Sequence, residues 1–273
     1  MSARPRLAAL LGAFLRRDLR EALTYKLSFV SSAAAMLLSS ATFYFVAKLV
    51  PAGAPGLGPF GGDYFGFAVV GVAFSSLLGV FQEGLPAVLR GAQVSGTLEA
   101  LLVTPAPVPA ILFGSSLYPL LVQVLRTVVH LGVAAALFGL SFGRINILGL
   151  AAVAALTVVC FLSVGVLSAA FILVYKSGNP FGWLLGTVSG LFGGVVFPVA
   201  LLPGWLRWIS SLLPVTYALD GVRKCLLASS AFADILPDIA ALAVFDAVLV
   251  PLSLAAFRLA LRKAKKDGTL AQF

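Results

Sequence analysis

The chain has 273 residues, of which 60% are apolar, 11% aromatic and only 11% charged, with a mean hydropathy of +1.06. A soluble domain carries about 25% charged residues, so a soluble enzyme, a disordered chain and a disulfide scaffold are excluded, and a polytopic all-α membrane protein remains. The net charge of +9 would suggest nucleic acid in a soluble chain. Here the basic residues flank apolar runs, where they set topology, so no nucleic-acid partner is expected. Two cysteines, Cys160 and Cys225, with one histidine, His130, do not make a Cys/His zinc site or a disulfide framework.

Residues 7–26 come first. Arg16, Arg17, Arg20 and Thr24 share one helical face, and Leu11, Leu15, Leu19 and Ala22 share another, with Asp18 on the apolar side. The pattern predicts an amphipathic helix in the membrane interface, either a plain anchor or a docking element. Arg16, Arg17, Asp18, Arg20 and Glu21 interrupt any early apolar core, so it is not a signal peptide.

Six apolar runs follow at about the 20-residue length a helix needs to cross a bilayer: 27–50, 64–84, 111–140, 147–175, 181–202 and 239–257. They are continuous rather than alternating, which disfavours a β-barrel. With the N-terminus in the cytoplasm, 13 Lys and Arg lie inside and four outside (Arg144, Arg207, Arg223, Lys224), with Lys48 and Arg126 inside spans. This bias places both termini in the cytoplasm and requires an even number of spans. Lys48 is expected to snorkel to the outer interface.

Between the first two runs, residues 51–63 hold Pro51, Pro55, Pro59 and five glycines and no Lys or Arg, a compact outer turn. After the second run, Pro86 is expected to end the helix. Gly96 then precedes a short helical pattern over 97–103, stopped by Pro105, Pro107 and Pro109. This connection is far longer than the usual two to eight residues of a bundle, so it reads as a contact presenting Glu99 to a cytoplasmic partner in preference to a mere connector.

The third run places Gln123, Arg126, Thr127 and His130 on one face. A charge at mid-membrane faces a cavity or a partner. The stripe therefore reads either as the lining of a conduit or as an internal lock, with Asp246 of the sixth run as the partner of Arg126. In the fifth run Gly178, Gly182, Gly186, Gly190 and Gly194 recur every fourth residue, which permits close backbone approach within the subunit or between subunits. Pro203 and Pro214 then bracket helices too short to span, read as a re-entrant or interfacial pair before the sixth run, with Trp205 and Trp208 at the headgroup level.

Some chemistry is missing from the sequence. No G-x-x-x-x-G-K-[ST] segment occurs to bind ATP, and no H-E-x-x-H to hold zinc. Ser189-Gly190 with His130 gives a poor serine-protease match, because the residue two before Ser189 is Thr187. No enzymatic activity is expected of this chain.

The basic amphipathic helix, six spans, GTLEALLVTP after the second span and VVFPVALLPGWLRWISSLLPVTYALDGVR after the fifth together resemble the ABC-2 type permease family over nearly the whole chain. The resemblance implies one transmembrane domain acting as the membrane subunit of an ABC exporter in the inner (cytoplasmic) membrane. It implies a second permease chain, forming a homodimer within membrane lipid, and a separate cytoplasmic ATPase that holds ATP and Mg, with no cofactor on this chain. ATPase coupling then falls to Arg16, Arg17, Arg20, Gly96, Thr97, Glu99 and Thr104. The dimer contact falls to Gly182, Gly186, Gly190 and Gly194, opposite Ser31, Ala34, Ala35 and Ser39. The translocation path falls near Phe43, Tyr44, Phe197 and Trp205. A drug-, lipid- or glycan-like substrate fits the resemblance. An ion-driven transporter or channel using Asp246, Arg126 and His130 is the alternative reading.

Overall fold

The computed structural model describes residues 26–51, 53–94, 108–175 and 179–266. Its helices are α1 (Lys26–Ala47), α2 (Tyr64–Val94), α3 (Val108–Phe138), α4 (Ile147–Tyr175), α5 (Pro180–Phe192), α6 (Gly204–Ser211), α7 (Pro214–Leu226) and α8 (Phe232–Lys266). No strand occurs among the described residues. Among the described residues four helices are long and apolar enough to cross a membrane: 64–88 of α2, 118–138 of α3, α4, and 232–264 of α8. Large apolar side chains stand outward on α3 and α8, such as Val128 at 61% and Val244 at 66% exposure. That is the surface a bilayer covers.

Three of the six expected spans differ in extent. Pro86 does not end α2, which continues to Val94. Proline removes the N–H that would bond the carbonyl four residues back, here Gln82. That carbonyl instead accepts Asn179 Nδ2–H at 3.1 Å. The 181–202 run is not one helix: α5 stops at Phe192, followed by Gly193, by Gly194 at φ +76° and by an irregular stretch to Pro198. The sixth span begins earlier than 239 and keeps Pro237 and Pro251 inside one helix. The interfacial helix over 7–26 lies outside the described residues except for Lys26, the first residue of α1.

Asn179 has a second duty, since its Oδ1 accepts the Gly182 N–H at 2.8 Å and so caps α5. One side chain thus starts α5 and ties it to the proline site of α2. Asn179→Ala removes both bonds and is expected to cost about 1–3 kcal/mol. The thermal midpoint in detergent should fall by about 3–8 °C, with Asn179→Asp, which keeps only the cap, in between. An unchanged midpoint for the alanine variant would refute the double role.

The connections 51–63 and 139–146 meet the segment after α7 at one end of the bundle. Gly143 N–H donates to Leu226 O at 2.9 Å, Asn146 N–H to Cys225 O at 3.1 Å, and Arg144 N–H to Ser229 Oγ at 2.6 Å. The Cβ position of Gly61 faces the Leu227 carbonyl at 3.2 Å. Lys224 Nζ and Asp238 Oδ2, 2.7 Å apart, join α7 to α8. The principal core gathers α2, α4, α7 and α8 around Phe74, Phe81, Phe161, Leu219 and Leu242.

Candidate functional site

Two features sit on this frame: a polar groove between α1, α2 and α3, and an arginine-centred junction where α5 breaks off.

The groove has a volume of about 260 Å³. Helix α3 contributes Gln123, Arg126, Thr127 and His130, the stripe expected from helical spacing. Helix α1 answers with Ser32, Ala35, Met36 and Ser39 at the same spacing, and α2 supplies Val72, Ala73 and Ser76 as the floor. His130 Nε2 lies 3.0 Å from Ser40 Oγ, a buried contact joining α3 to α1. Thr127 Oγ1 donates to the Ala73 carbonyl at 3.3 Å and joins α3 to α2. Gln123 and Arg126 have no hydrogen bond or ion pair with any described residue.

The expected pair between Arg126 and Asp246 does not form. Asp246 points from α8 to the Cys160 thiol on α4, and neither of its buried oxygens accepts a hydrogen bond from a described residue. Helical depth placed the two at one level, but depth does not give the direction in which a side chain leaves its helix. Arg126 leaves toward α1 and Asp246 toward α4.

The junction is built on Arg223. This residue is 0% exposed and donates to three carbonyls: Nε to Phe67 at 3.1 Å, Nη1 to Gly194 at 2.8 Å and Nη2 to Val195 at 2.7 Å. Its guanidinium carbon lies 3.4 Å from the centroid of the Phe67 ring. Asp220 stands 4.0 Å away, one turn earlier on α7. Burial pulls the Arg223 guanidinium down to about 9 and lifts the Asp220 carboxyl to about 6, and their mutual attraction opposes both shifts. Topology counting treats Arg223 as an outer-side charge and so misses that it is a core residue. The i,i+3 spacing of Asp220 and Arg223 was the available signal.

The glycine ladder divides. Gly186 and Gly190 are exposed on α5, and an added Cβ at Gly190 would meet nothing in this chain. Gly182 is buried under its own Asn179 cap. Gly194 is not on the helix at all, which corrects its place in the ladder, and Gly178 lies outside the described residues. A second cavity of about 110 Å³ lies between α5, α2 and α7, lined in part by Gln82, Gly186 and Ser189.

Tyr44 packs with Phe65 and Phe138 at ring-centroid distances of 5.8 and 5.4 Å, and Phe43 joins the same cluster. No ring contact among the described residues links Phe43 or Tyr44 to Phe197 or Trp205. Trp205 and Trp208 are 69% and 60% exposed. Lys48 follows the end of α1, with Nζ 4.6 Å from the Tyr44 ring centroid. Arg16, Arg17, Arg20, Gly96, Thr97, Glu99 and Thr104 lie outside the described residues.

The described residues form an all-helical bundle with a broken fifth element, two short helices after it and four helices long and apolar enough to cross a membrane. The profile of the ABC-2 type transporter family matches residues 7–227, and the chain belongs to that family. It is therefore a permease component of an ABC transporter, a class that pairs with an ABC ATPase. No curated protein matches the chain.

Proposed function

We propose that the chain is the permease of an ABC exporter, working as a homodimer in the inner membrane, with ATP and Mg held by two separate cytoplasmic ATPase chains. The observation that carries the reading is the family match over residues 7–227, together with the absence from the sequence of any phosphate-binding segment of its own.

Both termini lie in the cytoplasm in this reading. The charge bias supports it, as does the contact of the connections 51–63 and 139–146 with residues 225–230 at a single end of the bundle. From α5 the chain passes Gln82 at one level of α2 and Gly71 at another, about 16 Å apart, and continues through α6 and α7 to that same end. Helix α5 with its irregular extension thus acts as the fifth span, and α6 and α7 as the re-entrant pair. The exposed faces of Gly186 and Gly190 support a dimer contact through α5 and α1, with the path near Phe43, Tyr44, Phe197 and Trp205 beside it. The separation of Arg126 from Asp246 disfavours an ion-driven carrier built on that pair.

Docking of the ATPase falls to Arg16, Arg17, Arg20 and the 96–104 segment, with Glu99 as its charged contact. Glu99→Lys is expected to reduce capture of the ATPase by the detergent-solubilised chain at least about tenfold, the scale of reversing one charge-assisted contact, and transport with it. Full capture and normal transport by the variant would remove Glu99 from the interface. Failure of the native chain to capture any ABC ATPase would overturn the exporter reading.

A further inference from the structure

We propose that the groove between α1, α2 and α3 is a binding site for the anionic headgroup of a lipid, with Arg126 and Gln123 as its ligands. An arginine in a membrane span is costly unless something neutralises it. Among the described residues no carboxylate lies within ion-pair reach of Arg126, and Gln123, one turn away on the same face, is equally without a partner. Thr127 and His130, by contrast, are committed to Ala73 and Ser40. The stripe therefore splits into two residues that hold the helices together and two that are left over for a ligand.

The lining dictates what that ligand is. Its polar groups are a guanidinium, an amide, an imidazole and hydroxyls, with no acidic side chain, so the groove favours an anion. Its volume of about 260 Å³ lies below the roughly 300–1,000 Å³ of sites that enclose a drug-sized molecule, so it admits one headgroup and not a whole amphiphile. The rest of the molecule has somewhere to lie, because Leu38 on α1 and Leu125 and Val128 on α3 are at least 60% exposed. A headgroup between the helices with chains over their outer faces satisfies both halves of a lipid.

Depth adds a further point, and this one rests on the permease reading. Arg126 is about 22 Å along the helix from Ile111, where the third apolar run begins, and about 18 Å from Phe138, whereas headgroups normally sit about 15 Å from the bilayer centre. An anion on Arg126 has thus left its own interface and stands part-way across.

The test uses the full chain in nanodiscs of equal phosphatidylglycerol and phosphatidylcholine, with retained lipid counted by native mass spectrometry. The native chain should retain phosphatidylglycerol, and Arg126→Gln should lower that retention about tenfold or more, as expected for loss of a charge-assisted bond. Ser76→Phe, which fills the groove from α2 and leaves Arg126 and the proposed dimer face of α1 intact, should do the same. Retention by both variants equal to that of the native chain would overturn the site. Displacement of the lipid by inorganic phosphate at millimolar concentration would also overturn it, by showing a site for free anions. The measurement needs no ATPase, so failed ATPase capture and failed lipid retention are separate results.

Discussion

Arg223→Met should leave the chain unable to reach its folded state in useful yield. The methionine fills much of the space but donates nothing. The carbonyls of Gly194 and Val195 belong to the irregular stretch after α5 and would lose the bonds that Arg223 gives them. Each orphaned buried carbonyl costs about 1–3 kcal/mol, and Asp220 loses its counter-charge as well. A total of about 4 kcal/mol or more is expected, read as aggregation on size exclusion or a midpoint lower by about 10 °C or more. Arg223→Lys keeps the charge but reaches fewer carbonyls and loses the planar contact with Phe67, so it should fall between. A monodisperse methionine variant with a native midpoint would show that the junction does not depend on this side chain.

Gly165→Leu should be nearly as damaging, for a steric reason. Helices α2 and α4 touch backbone to backbone where Gly165 faces the carbonyl oxygen of Phe81, with Leu85 Cδ1 3.3 Å from the Cβ position. Even alanine drives a methyl into that carbonyl and separates the helices, costing about 1–3 kcal/mol, and leucine more. Two other glycines give the control. At Gly79 and Gly132 an added Cβ meets nothing, so alanine there is expected to be neutral or to stabilise by up to about 1 kcal/mol through helix propensity. If Gly165→Ala behaves like Gly132→Ala in thermal midpoint and yield, the close approach is not a determinant of the fold.

These cases mark how far the sequence could be read. Hydropathy gave the helices because the signal is local and extends over 20 or more residues. Helical spacing gave the Gln123–His130 stripe, and the two prolines gave the bounds of α6 and α7, because both are properties of the backbone alone. The continuity of α2 through Pro86 was hidden because it depends on Asn179, a residue 97 positions away. The break at Phe192 was hidden because an apolar sequence without helix has the same hydropathy as one with it. Arg223 and Asp246 were misassigned for a shared reason: what a charged side chain meets is fixed by the packing of other helices. The proposed docking residues Arg16, Arg17, Arg20 and Glu99 lie outside the described residues.

The contact between Arg223 and Phe67 spans 156 positions of chain, and that separation is also an interval of time. At about 5–20 residues per second of synthesis, α2 waits roughly 8–30 s for the residue that completes its junction. The N–H groups of Gly143 and Asn146 likewise find their acceptors only in residues made some 80 positions later. The early helices are therefore inserted with an unfinished face, and the 223–230 segment closes them in a single late step. A ribosome that stalls before this point releases a chain with α1 to α5 made and their fastening absent, a ready substrate for membrane quality control.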